Sequence, residues 1–114
     1  MSSIAPQHLP LHHVISVEAK LTNASGQTWG STGQCPVHLS CHWQAPDDTW
    51  LEFDGERTPL PRDLAPGETL RHYLTIKAPP QPGPARLHLT LVQEGVGWFD
   101  QHGCPALIIP VDIQ

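Results

Sequence analysis

Turn-forming prolines and glycines recur along this chain at regular intervals, and short segments between them alternate apolar and polar residues. The 114 residues include 13 prolines and 9 glycines. Turn signals with this spacing, separated by alternating segments, are typical of small antiparallel sandwiches. We therefore predict an all-β fold, an immunoglobulin-like antiparallel β-sandwich of about seven short strands.

The alternation also predicts where the longer strands lie. Six segments are expected as strands: residues 14–23, 37–43, 50–53, 69–77, 85–92 and 108–113. In the second of them, Leu39, Cys41 and Trp43 share one face, which is the expected core face. Pro110 has no N–H to give to a neighbour, so it predicts an edge position for the last strand. No segment shows sustained helical periodicity.

Length and composition predict one domain. A chain of 114 residues with 39% hydrophobic residues can bury a single core. Residues 14–114 are expected to form the sandwich domain. Residues 1–13 are interrupted by prolines and rich in histidine, so we expect a flexible or edge N-terminal lead-in.

The charge balance excludes some classes of partner. Only 15% of the residues are charged, and the net charge is −5. Nucleic-acid binding needs a basic face, so it is not expected. No apolar run approaches the ~20 residues of a membrane helix, so the protein is not expected to be transmembrane. The N-terminus has no basic segment followed by an apolar stretch, so we expect a cytoplasmic location.

Several motifs, in this order, resemble a known bacterial module. They are Leu39-Ser40-Cys41-His42-Trp43, Asp54-Gly55-Glu56-Arg57-Thr58-Pro59-Leu60-Pro61, Pro66-Gly67-Glu68, Ala78-Pro79, Pro82-Gly83, Val92-Gln93-Glu94-Gly95 and Trp98-Phe99. The stretch from about Val14 to the C-terminus is similar to the C-terminal carbohydrate-recognition domain of polysaccharide ABC-transporter ATPases (Wzt type). Related modules are appended to bacterial glycosyltransferases and methyltransferases. Cys41 departs from the pattern, which usually has an aromatic residue there.

The resemblance implies a function without catalysis. It implies recognition of an O-antigen-like oligo- or polysaccharide during surface-polysaccharide synthesis or export, with no cofactor. The chain shows no ATPase or transferase sequence, so that activity is not transferred to it. The resemblance and the exposed edge near Pro110 together favour pairing of two copies as a homodimer. A protein–protein interaction domain that docks beside a glycan-processing enzyme is the alternative, and the sequence leaves both functions open.

Immunoglobulin strand order also predicts a binding site. It places the loops at residues 24–36 and 94–107 at one end of the sandwich, and residues 54–61 return to that end. Aromatic rings that contact sugar C–H faces, with charged groups that bind hydroxyls, suit a glycan site. The predicted ligand-binding residues are Trp29, Arg57, Glu94, Trp98 and Phe99. The structural alternative is that Trp98 and Phe99 cap the core and that Arg57 pairs with Glu94 to join two loops.

Metal binding and catalysis are less favoured. His38 and His42 share a strand face but lie about 13 Å apart at the strand rise, and there is no C-x-x-C pair. The chain has no phosphate loop or nucleophile elbow, so neither a catalytic nor a metal site is predicted. Cys41 is expected to be a buried apolar filler. Cys35 and Cys104 are expected in neighbouring loops, as thiols unless the compartment is oxidising.

Overall fold

The strands of the protein form two packed sheets. The computed structural model describes residues 1–4 and 7–114, and Ala5 and Pro6 of the predicted lead-in lie outside the described residues. Ten strands are present in the described ranges: β1 (Ser2–Ile4), β2 (His8–Leu9), β3 (Val14–Thr22), β4 (Val37–Gln44), β5 (Trp50–Glu52), β6 (Thr58–Pro59), β7 (Thr69–Lys77), β8 (Gly83–Gln93), β9 (Gly97–Trp98) and β10 (Leu107–Ile113). A 3₁₀ turn at Phe99–Gln101 follows β9.

The order of the strands is that of an immunoglobulin-like sandwich. The small sheet has the order β1-β3-β7, and the large sheet has the order β2-β10-β8-β4-β5, with β6 beside β4 and β9 beside β8. All of these pairs are antiparallel except the parallel pair of β2 with β10. Strands β3 and β7 of one sheet face β4, β8 and β10 of the other. In the lettering of immunoglobulin domains, β3 and β7 correspond to strands B and E, and β4, β8 and β10 correspond to strands C, F and G. The predicted fold class is therefore confirmed.

All six predicted strands are found, and β7 matches its predicted range residue for residue. The largest shift is in β8, which begins at Gly83 rather than at residue 85 because Gly83 and Pro84 still pair with the end of β10. The structure has more strands than the roughly seven expected. The additional ones, β1, β2, β6 and β9, contain two or three residues each, too few for an alternating pattern.

The core lies between the two sheets and contains the predicted face of β4. Leu39, Cys41 and Trp43 are all buried against residues of β3 and β7. The Trp43 indole Nε1–H donates to the Lys77 carbonyl oxygen at 3.0 Å, so one side chain joins the two sheets. Burial raises the pKa of the Cys41 thiol to about 12, which keeps it protonated. Cys41 is thus an apolar filler, as the sequence predicts.

The open edge of β10 is short of one hydrogen-bond donor. The N–H groups of Asp112 and Gln114 point away from β8 and donate to Gln7 and Leu9. Backbone direction alternates along a strand, so the nitrogen of Pro110 faces the same side and has no hydrogen to donate. Pro110 therefore occupies an edge position that is a poor template for pairing two copies through this strand. The homodimer stays a prediction.

The N-terminal residues add short strands to both sheets. β1 pairs with β3 in the small sheet, and β2 pairs with β10 in the large sheet. Within the part of the chain that the structure describes, no helix is long and apolar enough to cross a membrane.

Candidate functional site

An open cleft lies at one end of the sandwich, between the two loops that the strand order brings together. It has a volume of about 870 Å³, and its walls come from residues 22–29 and 93–105. The two loop regions are tied by backbone bonds at their base, where the Glu94 N–H donates to the Pro36 carbonyl at 3.0 Å. The predicted meeting of these loops at one end is confirmed.

Two aromatic side chains are the largest apolar groups in the cleft. Trp29 and Phe99 meet edge to face, with ring centroids 5.2 Å apart and an angle of 75° between the rings. Both side chains are half-buried and pack against the core. The backbone of Trp29 exchanges two hydrogen bonds with Leu64, at 2.9 and 3.0 Å. The backbone of this tryptophan is therefore fixed to the neighbouring segment.

Beside the two aromatic rings the cleft is lined by further apolar residues, among them Val37, Val96 and Pro105, and by polar groups. Hydroxyl, amide and imidazole groups line it, and the described lining includes no Asp, Glu, Lys or Arg. The polar side chains are Thr22, Ser25, Gln27, Thr28, Gln93 and His102. Such a surface can hydrogen-bond to hydroxyl groups and attracts neither anions nor cations strongly.

One buried side chain shapes the loop at residues 23–28. Asn23 is fully buried, and its amide nitrogen donates to the carbonyl oxygens of Gln27 at 2.8 Å and Leu64 at 2.9 Å. Its amide oxygen accepts the Ser25 N–H at 3.0 Å. These bonds satisfy both ends of the amide and also join the loop to Leu64. The polar wall of the cleft is thus preorganised.

Arg57 and Glu94 form an ion pair on the far side of the β8–β9 hairpin from the cleft. Arg57 Nε lies 2.8 Å from Glu94 Oε2, and Arg57 also binds Asp54 at 2.6 Å. The Arg57 guanidinium carbon is 4.7 Å from the centre of the Trp98 ring. His38 Nδ1 is 2.7 Å from the same oxygen of Glu94. The charged groups of this network are therefore directed at one another.

This network predicts how the stability of the protein depends on acid pH. Burial acts to raise the pKa of Glu94, but hydrogen bonds from His38 and Arg57 outweigh it and hold the pKa below its usual value. A carboxyl with a lowered folded-state pKa adds stability above its unfolded pKa, and this is lost as pH falls through the folded pKa. We expect Glu94→Gln to flatten the fall in the free energy of unfolding between about pH 5 and pH 3.

Urea unfolding at several pH values measures this effect. Glu56→Gln removes an exposed carboxylate outside the network and is the matched control. Parallel pH curves for wild type and Glu94→Gln would contradict the assignment.

Trp98 packs on the outer face of the large sheet and not on the core. Its ring centroid lies 4.3 Å from that of His42 and 5.4 Å from that of Phe53. Phe99, the next residue, packs against the core from the cleft side. The structural alternative that both aromatics cap the core is thus correct for Phe99 and wrong for Trp98. The reason is that consecutive residues point in opposite directions where β9 ends.

His42 is the centre of this outer cluster, and the sequence did not reveal its role. It is 0% exposed although it lies on the polar face of β4. Its ring stacks on Phe53, with centroids 4.0 Å apart and 9° between the planes. Nδ1 bonds to the Phe53 carbonyl oxygen, and Nε2 lies 3.0 Å from Asp100 Oδ2. The available signal was the three aromatics Trp50, Phe53 and Trp98 in the flanking segments, which cover this face.

The predicted site residues therefore fall into two groups. Trp29 and Phe99 line the cleft, whereas Arg57, Glu94 and Trp98 form the network on the other side of the hairpin. Cys35 and Cys104 are exposed, and all three cysteines are free thiols. In residues 1–4 and 7–114, no group of three or more His, Cys, Asp or Glu side chains is arranged to hold a metal ion.

The fold and the cleft define a small immunoglobulin-like domain with a groove lined by aromatic and polar side chains. No model of a known protein family matches the chain, and no curated protein matches it significantly.

Proposed function

We propose that this protein is a non-catalytic carbohydrate-recognition module that binds an oligo- or polysaccharide in the cleft at the end of the sandwich. The observation that carries the proposal is the composition of the cleft: a tryptophan and a phenylalanine beside hydroxyl and amide groups, without carboxylates or basic chains. Sugar rings offer C–H faces to aromatic rings and hydroxyls to amides. The preferred ligands are therefore sugars without charge.

In this proposal the five predicted site residues have different roles. Trp29 and Phe99, which line the cleft, contact the ligand, and Gln27, Gln93 and His102 are hydrogen-bonding groups at the rim. Arg57, Glu94 and Trp98 use their polar groups and ring surface within the protein. In this proposal they support the hairpin that forms one wall of the cleft.

The resemblance to Wzt-type recognition domains suggests the biological setting. Three of the motifs that carry it, residues 54–61, residues 92–95 and Trp98-Phe99, build the hairpin wall and its support. On this basis the domain acts in the cytoplasm during bacterial surface-polysaccharide synthesis or export. It recognises an O-antigen-like glycan and leaves the chemistry to a partner enzyme.

An exposed apolar patch favours a second function, docking onto a partner enzyme. Trp50 is 43% exposed and Ile108 is 52% exposed. His88 pairs with Ile108 across the sheet and lies 5.2 Å from Trp50 between ring centroids, so both apolar side chains are on the outer face of the large sheet. Exposed apolar groups that cluster on one face are typical of protein interaction sites.

Calorimetric titration of the protein with a panel of neutral oligosaccharides tests the primary proposal. We expect Trp29→Ala to weaken binding by about 1.5–3 kcal/mol, which is roughly ten- to a hundredfold, because the sugar loses its apolar partner. Ile108→Ala is the control, since it removes an exposed apolar side chain from the outer face of the large sheet and should leave glycan affinity unchanged. Unchanged affinity in Trp29→Ala, or loss of binding in Ile108→Ala, would contradict the cleft as the site.

A further inference from the structure

Asp100 and Phe99 are neighbours in the 3₁₀ turn, yet they serve opposite sides of the hairpin. Phe99 forms the wall of the cleft, and Asp100 reaches the buried His42 on the outer face of the large sheet. We propose that the buried His42–Asp100 pair is a positioning device that sets the Phe99 wall of the cleft for ligand. This inference rests on the proposed function, because it assigns the pair a role in glycan affinity.

Both ring nitrogens of His42 face oxygen acceptors, the Phe53 carbonyl and Asp100 Oδ2. A hydrogen bond between an imidazole and a carboxyl group is stronger than a bond between neutral amides. The contact with Asp100 is therefore the strong link between the turn and the sheet.

The anchor on the sheet side is rigid. His42 lies in β4, in the middle of the large sheet, and is held by stacking on Phe53 and by contact with Trp98. His88 sits on the neighbouring strand with its Nε2 2.9 Å from Gln44 Oε1. Burial, and then the Coulombic interaction with His42, lowers the pKa of His88.

On the loop side, the bond to His42 is the one that fixes the Asp100 carboxylate. The Asp100 side chain is 15% exposed, and its other oxygen, Oδ1, is buried without a hydrogen-bond partner in the described part of the chain. A buried carboxylate with a single strong partner loses its position when that partner is removed. Asp100 therefore holds the turn onto the sheet through Oδ2.

The position of the turn also determines where other residues of the cleft lie. The Phe99 carbonyl oxygen accepts the N–H groups of His102 at 3.0 Å and Cys104 at 3.1 Å, and both of these residues line the cleft. The His102 ring also lies directly over Gly97, where an added Cβ would be 2.6 Å from Nε2. One buried bond thus determines the position of Phe99, His102 and Cys104.

Two matched substitutions at position 100 distinguish the effect of losing the hydrogen bond to His42 from the effect of changing the shape of the side chain. Asp100→Asn keeps a hydrogen bond, because its amide N–H can donate to Nε2 of a neutral His42. Asp100→Leu has a similar size and makes no such bond. Amide hydrogen exchange at His102 and Cys104 reports on the turn, with the Leu89 amide in β8 as the core reference.

We expect Asp100→Leu to speed exchange at His102 and Cys104 by at least about tenfold more than at Leu89, and Asp100→Asn to stay near wild type. We also expect Asp100→Leu, but not Asp100→Asn, to weaken binding of the neutral oligosaccharide that binds wild type best. If Asp100→Leu does not fold, Asp100→Ala takes its place.

Three results would overturn the inference. The first is equal exchange rates at His102 and Cys104 in Asp100→Asn and Asp100→Leu, and the second is an increase in the exchange rate at His102 that is no larger than the increase at Leu89. The third is wild-type glycan affinity in Asp100→Leu. The exchange experiment needs no ligand. If no oligosaccharide binds wild type, the proposed function fails, and the exchange rates still decide whether the pair positions the turn.

Discussion

Replacing Trp98 by alanine is expected to lower the free energy of unfolding by about 3 kcal/mol, the lower end of the range for truncating a packed tryptophan, because Trp98 is half-buried. The change removes the ring that lies against His42 and Phe53 and beneath the Arg57 guanidinium. Urea unfolding monitored by circular dichroism measures the loss. Trp50→Ala, at a more exposed ring of the same cluster, should cost clearly less.

The Trp98 result also separates the two roles that the sequence left open for this residue. A stably folded Trp98→Ala protein that loses its glycan affinity would restore Trp98 as a ligand contact. A protein that is destabilised but still binds at low temperature is the result expected from its packing on the outer face.

Replacing Gly55 by alanine is expected to lower the free energy of unfolding by about 3 kcal/mol. The added methyl group would overlap atoms that belong largely to the backbone, which cannot move aside easily. A Cβ at this position would lie 2.6 Å from Cys41 Sγ and would also overlap the Cys41 carbonyl oxygen. Gly55 donates its own N–H to that oxygen at 3.2 Å, so the two segments cannot separate without losing a bond. Thermal or urea unfolding of Gly55→Ala checks the effect.

Gly26→Ala is the matched control for this substitution, since an added Cβ there meets nothing within 4 Å. It should change the free energy of unfolding by less than about 0.5 kcal/mol. The double variant Cys41→Ala with Gly55→Ala should recover only part of the loss, because the carbonyl overlap remains. Equal stability of Gly55→Ala and Gly26→Ala would contradict the close contact.

The longer strands could be predicted because their burial repeats with a period of two. β7 shows this most simply, since its alternation extends over the whole of Thr69–Lys77. The same rule failed for His42, which lies on the polar face of β4 and is nevertheless fully buried. Its burial depends on loops that fold over the sheet, and a strand's own pattern contains no information about such a cover.

The site was partly predictable for a similar reason. Strand order placed the loops at one end and brought Arg57 to Glu94, because topology determines which loops are neighbours. Strand order could not predict that Trp98 and Phe99 face opposite sides of the hairpin. That division is set by a two-residue strand and a three-residue 3₁₀ turn, elements too short to leave a periodic signal.

The chain has four tryptophans, and the structure places each in a different environment. Trp29 lines the cleft, Trp43 is in the core, Trp50 is exposed on the outer face, and Trp98 is packed beneath Arg57. The four indole N–H signals in a ¹H–¹⁵N spectrum therefore report separately on the four places. Resonance assignment by single substitution identifies each signal.

Titration of the labelled protein with neutral oligosaccharides, read from these four signals, tests the central claim most directly. We predict a saturable shift of the Trp29 signal that exceeds those of the other three, with Trp43 unchanged. A shift centred on Trp50 or Trp98 while Trp29 stays still, or four unmoved signals across the whole oligosaccharide panel, would contradict glycan recognition in the cleft.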